Sequence, residues 1–551
     1  VQRRVHREPA LSGRVGGSGE GHAVVIGAGA AGLATAGLLA RRGYAVTLLE
    51  RGTAVGGRAG SLTVDEAPGF RWDTGPSWYL MPEAFDRFFS LMGTSTQQQL
   101  DLQELSPGYR LLPEGLDPVD VPVGEDAVVE LFESLEPGAG EELRRYLAEA
   151  ADTYRIAVDR FLYTDFSSPA PFLGAAVLRR AVRLVRLLTG SLENLVDRRF
   201  RDRRLRQILS YPAVFLSSRP SATPALYQLM SYTDLVQGVR YPAGGFAAVV
   251  EALRRLAVDH GVSVRTGTEV TGIVTDRRRA NPLRHVPAVG RLTARWSSAR
   301  AQGVTVRTAD GAGEFLPADI VVSAADLHHT ETALLPPGLQ TYPERRWRRA
   351  DPGVGAVVVM LGVDGRLPEL AHHTLIFSED WTDDFAAVFD SASVGGRQAS
   401  RSVYVSRPSA TDPDVAPEGH ENLFVLVPVE CDPRMDRETV DAIADATLEL
   451  IAERAGIPDL VDRVVVRRTL GPADFAERHN SWRGWALGLA HTLTQSAFMR
   501  GTNRSRAVAN LFYAGSTTTP GVGVPMCLIS AENAVNAVNG VNAVKAAGQS
   551  K

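Results

Sequence analysis

Apolar residues run without interruption from Ala23 to Ile26, the pattern of a short parallel strand buried on both faces. Leu33 to Arg42 has helical composition, Gly43 ends it, and Ala45 to Leu49 is a second apolar run closing at Glu50. Gly60–Val64 and Phe70–Asp73 predict short strands. Pro82–Met92 predicts a helix with Phe85, Phe88, Phe89 and Met92 on its core face. Tyr109–Leu112 and Val119–Val123 alternate as strands of a separate small sheet, and from Gly140 to Ile208 the period becomes helical. A helix is expected over Ala247–His260. Val262–Arg265 and Glu269–Val274 read as a hairpin, and Val304–Arg307 and Asp319–Ser323 as strands joined through an Asp310-Gly311 turn. Val354–Val363, Arg401–Ser406 and Asn422–Val429 return to the small sheet. Asp436–Ala455 is an amphipathic helix, Leu511–Ala514 a buried strand, and a last helix starts near Met526.

One amphipathic stretch, Phe172–Thr189, supports two interpretations. Its periodicity puts Arg179, Arg180, Arg183 and Arg186 on one side and Leu173, Val177, Leu184, Val185 and Leu188 on the other. That is the requirement for a helix lying in a membrane surface, and equally for a surface helix whose apolar face covers the core.

The chemistry begins between the first strand and helix, where Gly27, Gly29 and Gly32 are spaced G-x-G-x-x-G. Gly27 permits the tight turn, Gly29 lets backbone N–H groups approach a pyrophosphate, and Gly32 allows helix and strand to pack closely. Glu50 stands 18 residues after Gly32, where a carboxylate can accept hydrogen bonds from a ribose diol. This motif alone does not separate NAD from FAD. Arg51 and Gly56-Gly57-Arg58 continue the glycine supply and add a guanidinium suited to phosphate. Near the other end, Gly515, Pro520, Gly521, Gly523 and Pro525 form a second glycine-rich loop that opens a helix. A second electropositive, side-chain-free surface there argues for one long dinucleotide stretched between the two loops.

Composition narrows the classes. The 551 residues predict two or three domains, and a formal net charge of −4 gives no nucleic-acid signature. Two distant cysteines, Cys431 and Cys527, offer neither a disulfide framework nor metal spacing, and fit a reducing cytoplasm. The histidine pairs His328-His329 and His372-His373 are chain neighbours that point apart, so no metal site is expected. Residues 1–22, rich in Arg, Gly and Ser, read as a flexible arm and not a secretion signal, and no apolar run is long enough to span a bilayer.

The chain resembles the bacterial-type phytoene desaturases of the carotenoid/retinoid oxidoreductase family, within the flavin amine oxidase superfamily. The residues that carry the resemblance are VVIGAGAAGLATAGLLARRGYAVTLLE with GGR, DTGPS (Asp73–Ser77), YPAGG (Tyr241–Gly245), AHHT (Ala371–Thr374), LTQSAF (Leu493–Phe498), and NLFYAG with PGVGVPMCLISAE (Pro520–Glu532). The resemblance implies an α/β fold: a Rossmann-like FAD-binding domain, a second mixed-sheet substrate domain and a helical membrane-associating region. Applied to this chain, 1–22 is the arm and 23–100, 241–330 (with an exposed insertion at 276–303) and 466–545 form the FAD-binding domain. The segment 101–240 holds part of the substrate sheet and the helical region, and 331–465 the rest of the substrate domain.

The resemblance further implies FAD held by Gly27, Gly29, Ala31 and Gly32 at the pyrophosphate, Glu50 at the adenosine ribose with Arg51 beside it, and Gly57 and Arg58 at the phosphates. Val270 would flank the adenine, and Gly515, Val522, Gly523, Val524 and Met526 would contact the ribityl chain and ring. Cys527 lies beside the ring in this scheme, as a packed thiol rather than a covalent link. The implied activity is desaturation of a linear C40 carotene, phytoene to more conjugated products such as lycopene, by loss of a hydride and a proton, with quinone or oxygen as final acceptor. It implies a cytoplasmic protein attached peripherally to the membrane. No residue is identified as the catalytic base. The alternatives are carotene cis–trans isomerisation, C30 squalene-like desaturation, amine oxidation, and a non-enzymatic prenyl-binding role.

Overall fold

The computed structural model describes residues 21–164, 181–276, 299–390 and 399–549. The apolar runs at His22–Ile26 and Ala45–Leu49 are neighbouring parallel strands at the heart of a five-stranded parallel sheet. Ile320–Ser323 and Leu511–Tyr513 extend it on one side and Ser263–Arg265 on the other. The first helix, Ala30–Arg41, packs between the helix Gly245–Asp259 and the C-terminal helix Val524–Gln549. Phe85, Phe88, Phe89 and Met92 are all buried in the same core, as their helical spacing predicts.

The hairpin expected at 262–274 does not form. Ser263–Arg265 joins the parallel sheet, while Thr268–Thr275 pairs antiparallel with Ala301–Thr308 in a separate three-stranded sheet. The cause lies in the turn. The Gly267 and Thr268 N–H groups donate to the carbonyls of Gly52 and Glu50, both at 2.8 Å, so the chain is tied to the end of the second strand and not folded on itself. The Asp310-Gly311 turn leads into a strand the pattern did not reveal, Gly313–Pro317, before Ile320–Ser323 enters the parallel sheet. Within the segment expected to be an insertion, 277–298 lies outside the described residues, while Ala299 is already buried and Ala301 begins a strand.

The second sheet has seven strands in the order 464–470, 355–364, 420–429, 403–406, 373–377, 109–113, 119–121, mixed because 373–377 and 109–113 run parallel. The first of these crosses the boundary expected at 465/466. His373–Phe377 is a strand the sequence pattern did not mark. One sheet face (Val357, Val359, Val425, Val427) is buried with Val440, Ala444 and Leu448 of the helix Arg437–Ala455. The opposite face carries Ala356, Val358, Phe424 and Leu426.

Asp73 ties the strand Arg71–Asp73 to the helix Gly245–Asp259. Its carboxylate accepts N–H groups of Phe246 (2.6 Å) and Ala247 (3.1 Å), supplying acceptors to the first turn of Gly245–Asp259, and burial pushes its pKa up to about 7. Asp73→Ala leaves those donors without an acceptor and is expected to cost about 1–2 kcal/mol, read as a lower Tm of the purified protein.

Of the stretch Phe172–Thr189, residues 172–180, with Arg179 and Arg180, lie outside the described residues. Ala181–Thr189 is a helix, but its faces differ from the expected division. Arg183 turns toward the protein, donating to Asp152 Oδ2 (3.3 Å), the Glu149 carbonyl (2.9 Å) and the Thr153 hydroxyl (2.9 Å). Leu187 is buried, whereas Val185 and Leu188 are 58% and 38% exposed. The acceptors come from a helix about thirty residues earlier, which the local period cannot reveal. Among the described residues, no helix is long and apolar enough to cross a membrane.

Candidate functional site

At the end of the first strand Gly27 has φ +90 and Gly32 packs onto it; a Cβ on Gly32 would lie 1.8 Å from the Gly27 carbonyl oxygen. Gly29 is different. A Cβ there would meet nothing closer than 3.8 Å, because Gly29 borders a cavity. It is also the N-cap of the first helix, with no side-chain capping bond and no acidic residue in the first turn. The helix end therefore presents unsatisfied N–H groups and a partial positive charge where an anion would sit. Gly56 closes alongside through a parallel bridge to Gly29, its N–H donating to the Ala28 carbonyl at 2.8 Å.

The cavity has a volume of about 490 Å³, and its lining comprises a polar part and an apolar part, its two limbs. In the polar limb, the Glu50 carboxylate is fixed by the N–H groups of Ala28 and Gly52, both at 2.8 Å. Arg51 reaches across to Asn480 Oδ1 (3.2 Å) and the Glu477 carbonyl, and Val270 forms the adjoining wall with Thr268 and Glu269. Midway, the half-buried Arg58 donates to the carbonyls of Ala486 (3.1 Å) and Leu487 (2.8 Å) and to Ser516 Oγ (2.5 Å). Burial lowers its pKa, against opposing pulls from Cys527 and Asp326. Next come Gly515 (φ +119), Val522, Gly523, Val524 and Met526, where the C-terminal helix starts. Burial pushes the Cys527 thiol up to about 11, so it stays protonated and unreactive near neutral pH.

Beyond this turn the lining becomes apolar: Trp78, Leu80, Met81, Leu162, Phe215, Leu229 and Met230, with Ala356, Val358, Tyr404, Phe424 and Leu426 from the seven-stranded sheet. Tyr227 shares a hydrogen bond with His491 Nδ1 at 2.8 Å beside the Gly521–Val522 turn. Burial holds the His491 pKa well below its usual value, so its ring is neutral.

Of the sequence-predicted site residues, Gly27, Gly29, Ala31, Glu50, Arg51, Gly57, Arg58, Val270, Gly515, Val522, Gly523, Val524 and Met526 line this one cavity. Gly32 does not line it; its contribution is the close helix–strand approach that sets the turn. His491, Asp326 and the 478–481 wall carry no mark in the sequence, because single residues at long separation leave no periodic or spacing signal. The donor set fits FAD. Two glycine-built helix starts and Arg58 suit an anionic centre, a fixed carboxylate suits a diol, and the apolar lining suits an uncharged ring.

The family described as flavin containing amine oxidoreductase matches residues 30–539. A carotenoid 3,4-desaturase of Haloarcula japonica is 40% identical over 509 residues, 92% of this chain and 96% of that protein. A zeta-carotene-forming phytoene desaturase of Myxococcus xanthus is 33% identical over 512 residues, 92% of each. A 4,4'-diapophytoene desaturase of Staphylococcus haemolyticus is 28% identical over 520 residues, 92% of this chain and 96% of that one. Among solved structures, a Methanosarcina mazei oxidoreductase superposes with a TM-score of 0.57 at 16% identity, covering 94% of this chain and 100% of that chain. Putrescine oxidase bound to putrescine superposes with a TM-score of 0.55 at 15% identity, covering 96% of this chain and 99% of that chain.

Proposed function

The chain belongs to the flavin containing amine oxidoreductase family and is an FAD-dependent oxidoreductase, and on that premise we propose that it is a carotenoid desaturase acting on a linear C40 polyene. The observation that carries the proposal is the continuity of the cavity: the nucleotide limb opens directly into one lined by aliphatic and aromatic side chains. A hydrocarbon chain offers no polar handle, so recognition rests on apolar contact and shape. Bound FAD supplies a hydride acceptor. The residues around it orient the polyene and exclude water, and the polyene's own conjugation spreads the charge that develops. We assign Glu50, Arg51 and Val270 to the adenosine, the Gly27–Gly32 turn with Gly57 and Arg58 to the phosphates, and Gly515 with Val522–Met526 to the ribityl chain and ring.

The substrate dissolves in the bilayer, and a peripheral membrane site is part of the proposal. The helix Ala181–Thr189, with Val185 and Leu188 exposed, packs on the turn Ala225–Gln228, whose Tyr227 lines the cavity. On the other side Tyr227 bonds Ser496 at 3.3 Å, in a segment that exposes Leu493 and Met499. Exposed apolar side chains thus flank one wall of the cavity from two elements. Replacing both Val185 and Leu188 by Glu is expected to reduce flotation with anionic liposomes by about tenfold or more, with flavin content unchanged. Undiminished flotation removes this helix from the membrane site.

The proposal is tested by expression in cells that accumulate linear carotenes, followed by pigment analysis. The phytoene series, a C30 analogue and a substrate open to 3,4-desaturation are compared. Products with longer conjugation support the proposal, and the preferred substrate fixes chain length and position. Unchanged pigments, with peroxide released from amines, overturn it.

A further inference from the structure

Arg500 is 1% exposed, and all its hydrogen bonds go to backbone carbonyls. Nη2 donates to Ser516 O at 2.6 Å and Nε to Thr518 O at 3.2 Å, while Nη1 donates to Leu489 O at 3.3 Å and Gln495 O at 3.4 Å. Among the described residues no carboxylate pairs with it. A buried cation without an acid is costly to keep. Its place is specific. Ser516 follows Gly515 and lines the cavity, and it receives a second guanidinium, Arg58, on its hydroxyl at 2.5 Å. Two arginines without ion pairs among the described residues therefore converge on one residue of the second glycine-rich loop, Arg58 within the cavity and Arg500 behind it.

We propose that Arg500 is a positioning residue with an electrostatic task. It fixes the Gly515–Thr519 turn, and its uncompensated charge, acting through that turn, favours the added negative charge of the reduced flavin and so raises the flavin's reduction potential. Hydride arrival leaves negative charge on the ring, and a fixed cation in a dry interior stabilises that charge without reorganisation. The inference rests on flavin binding and not on the identity of the substrate, so its failure and failure of the carotenoid proposal are separate results.

The test uses purified flavin-loaded wild-type protein, Arg500→Lys and Arg500→Gln, with the flavin midpoint potential measured by dye equilibration and Tm recorded in parallel. Arg500→Gln is expected to lower the preference for reduced over oxidised flavin about tenfold, a downward shift of about 30 mV for a two-electron couple. Arg500→Lys, which keeps the charge but loses the fork, is expected to stay within about threefold of wild type even if its Tm falls. If Arg500→Gln does not retain flavin, Arg500→Met, whose unbranched apolar chain approximates the lost volume, takes its place as the neutral variant. Equal shifts in the charged and neutral variants, or no shift in the neutral one, overturn the electrostatic role.

Discussion

Gly32→Ala is expected to lose a large part of its folding stability, whereas Gly29→Ala folds normally and loses flavin. The two glycines are three residues apart and serve one motif, yet their surroundings are opposite. A methyl group on Gly32 would sit 1.8 Å from the Gly27 carbonyl oxygen, a backbone atom that cannot step aside without moving the first strand. Overpacking of that kind costs upwards of about 3 kcal/mol, a large part of the usual 5–15 kcal/mol of stability. A methyl on Gly29 meets no protein atom within 3.8 Å, and its backbone, φ −73 and ψ −179, is ordinary for alanine. What it fills is the space through which N–H groups would approach the pyrophosphate. Loss of about two charge-assisted hydrogen bonds corresponds to roughly 100-fold weaker flavin binding with little change in apoprotein Tm. Thermal melts of the apoproteins and flavin titration separate the two cases. Equal behaviour of the two variants contradicts the geometry.

The second large effect is expected at Arg58. Removing its side chain leaves the carbonyls of Ala486 and Leu487 and the hydroxyl of Ser516 without their shared donor, and takes a cation from the middle of the nucleotide limb. Arg58→Met is expected to lower flavin affinity by about 100-fold or more, through lost charge and a loosened loop together. Arg58→Lys recovers only part of this, because one ammonium cannot reach three acceptors in the planar arrangement of a guanidinium. The flavin-to-protein absorbance ratio after gel filtration reads both variants. Full loading of Arg58→Met excludes the phosphate assignment.

Four strands of the parallel sheet were legible because each is a short, mostly apolar run, whereas Ser263-Val264-Arg265 has a single apolar residue; the residues of the cavity's glycine-built end were legible because glycine spacing is a local signal. The seven-stranded sheet was legible where strands are long, as at Gly355–Asp364, and silent at His373–Phe377, where His373 and Thr374 leave an apolar run of only three residues. The misread hairpin at 262–274 has the same origin. Strand partners across Gly267 were decided by hydrogen bonds to Glu50 and Gly52, more than two hundred residues earlier in the chain. The basic helix failed at Arg183 for a related reason, since its acceptors sit on another helix. Arg500 lies in a stretch with no periodic or spacing mark of its own, and only the folded loop reveals what it holds.

The central claim is that one cavity joins a flavin site to an apolar channel for a polyene. The most direct measurement is anaerobic single turnover: flavin-loaded protein mixed with liposomes carrying a linear carotene, with flavin absorbance and polyene spectrum followed together. The account predicts flavin bleaching matched by a red-shifted polyene band of equal stoichiometry. Flavin that stays oxidised with the carotenes tested yet is bleached by a primary amine would contradict it.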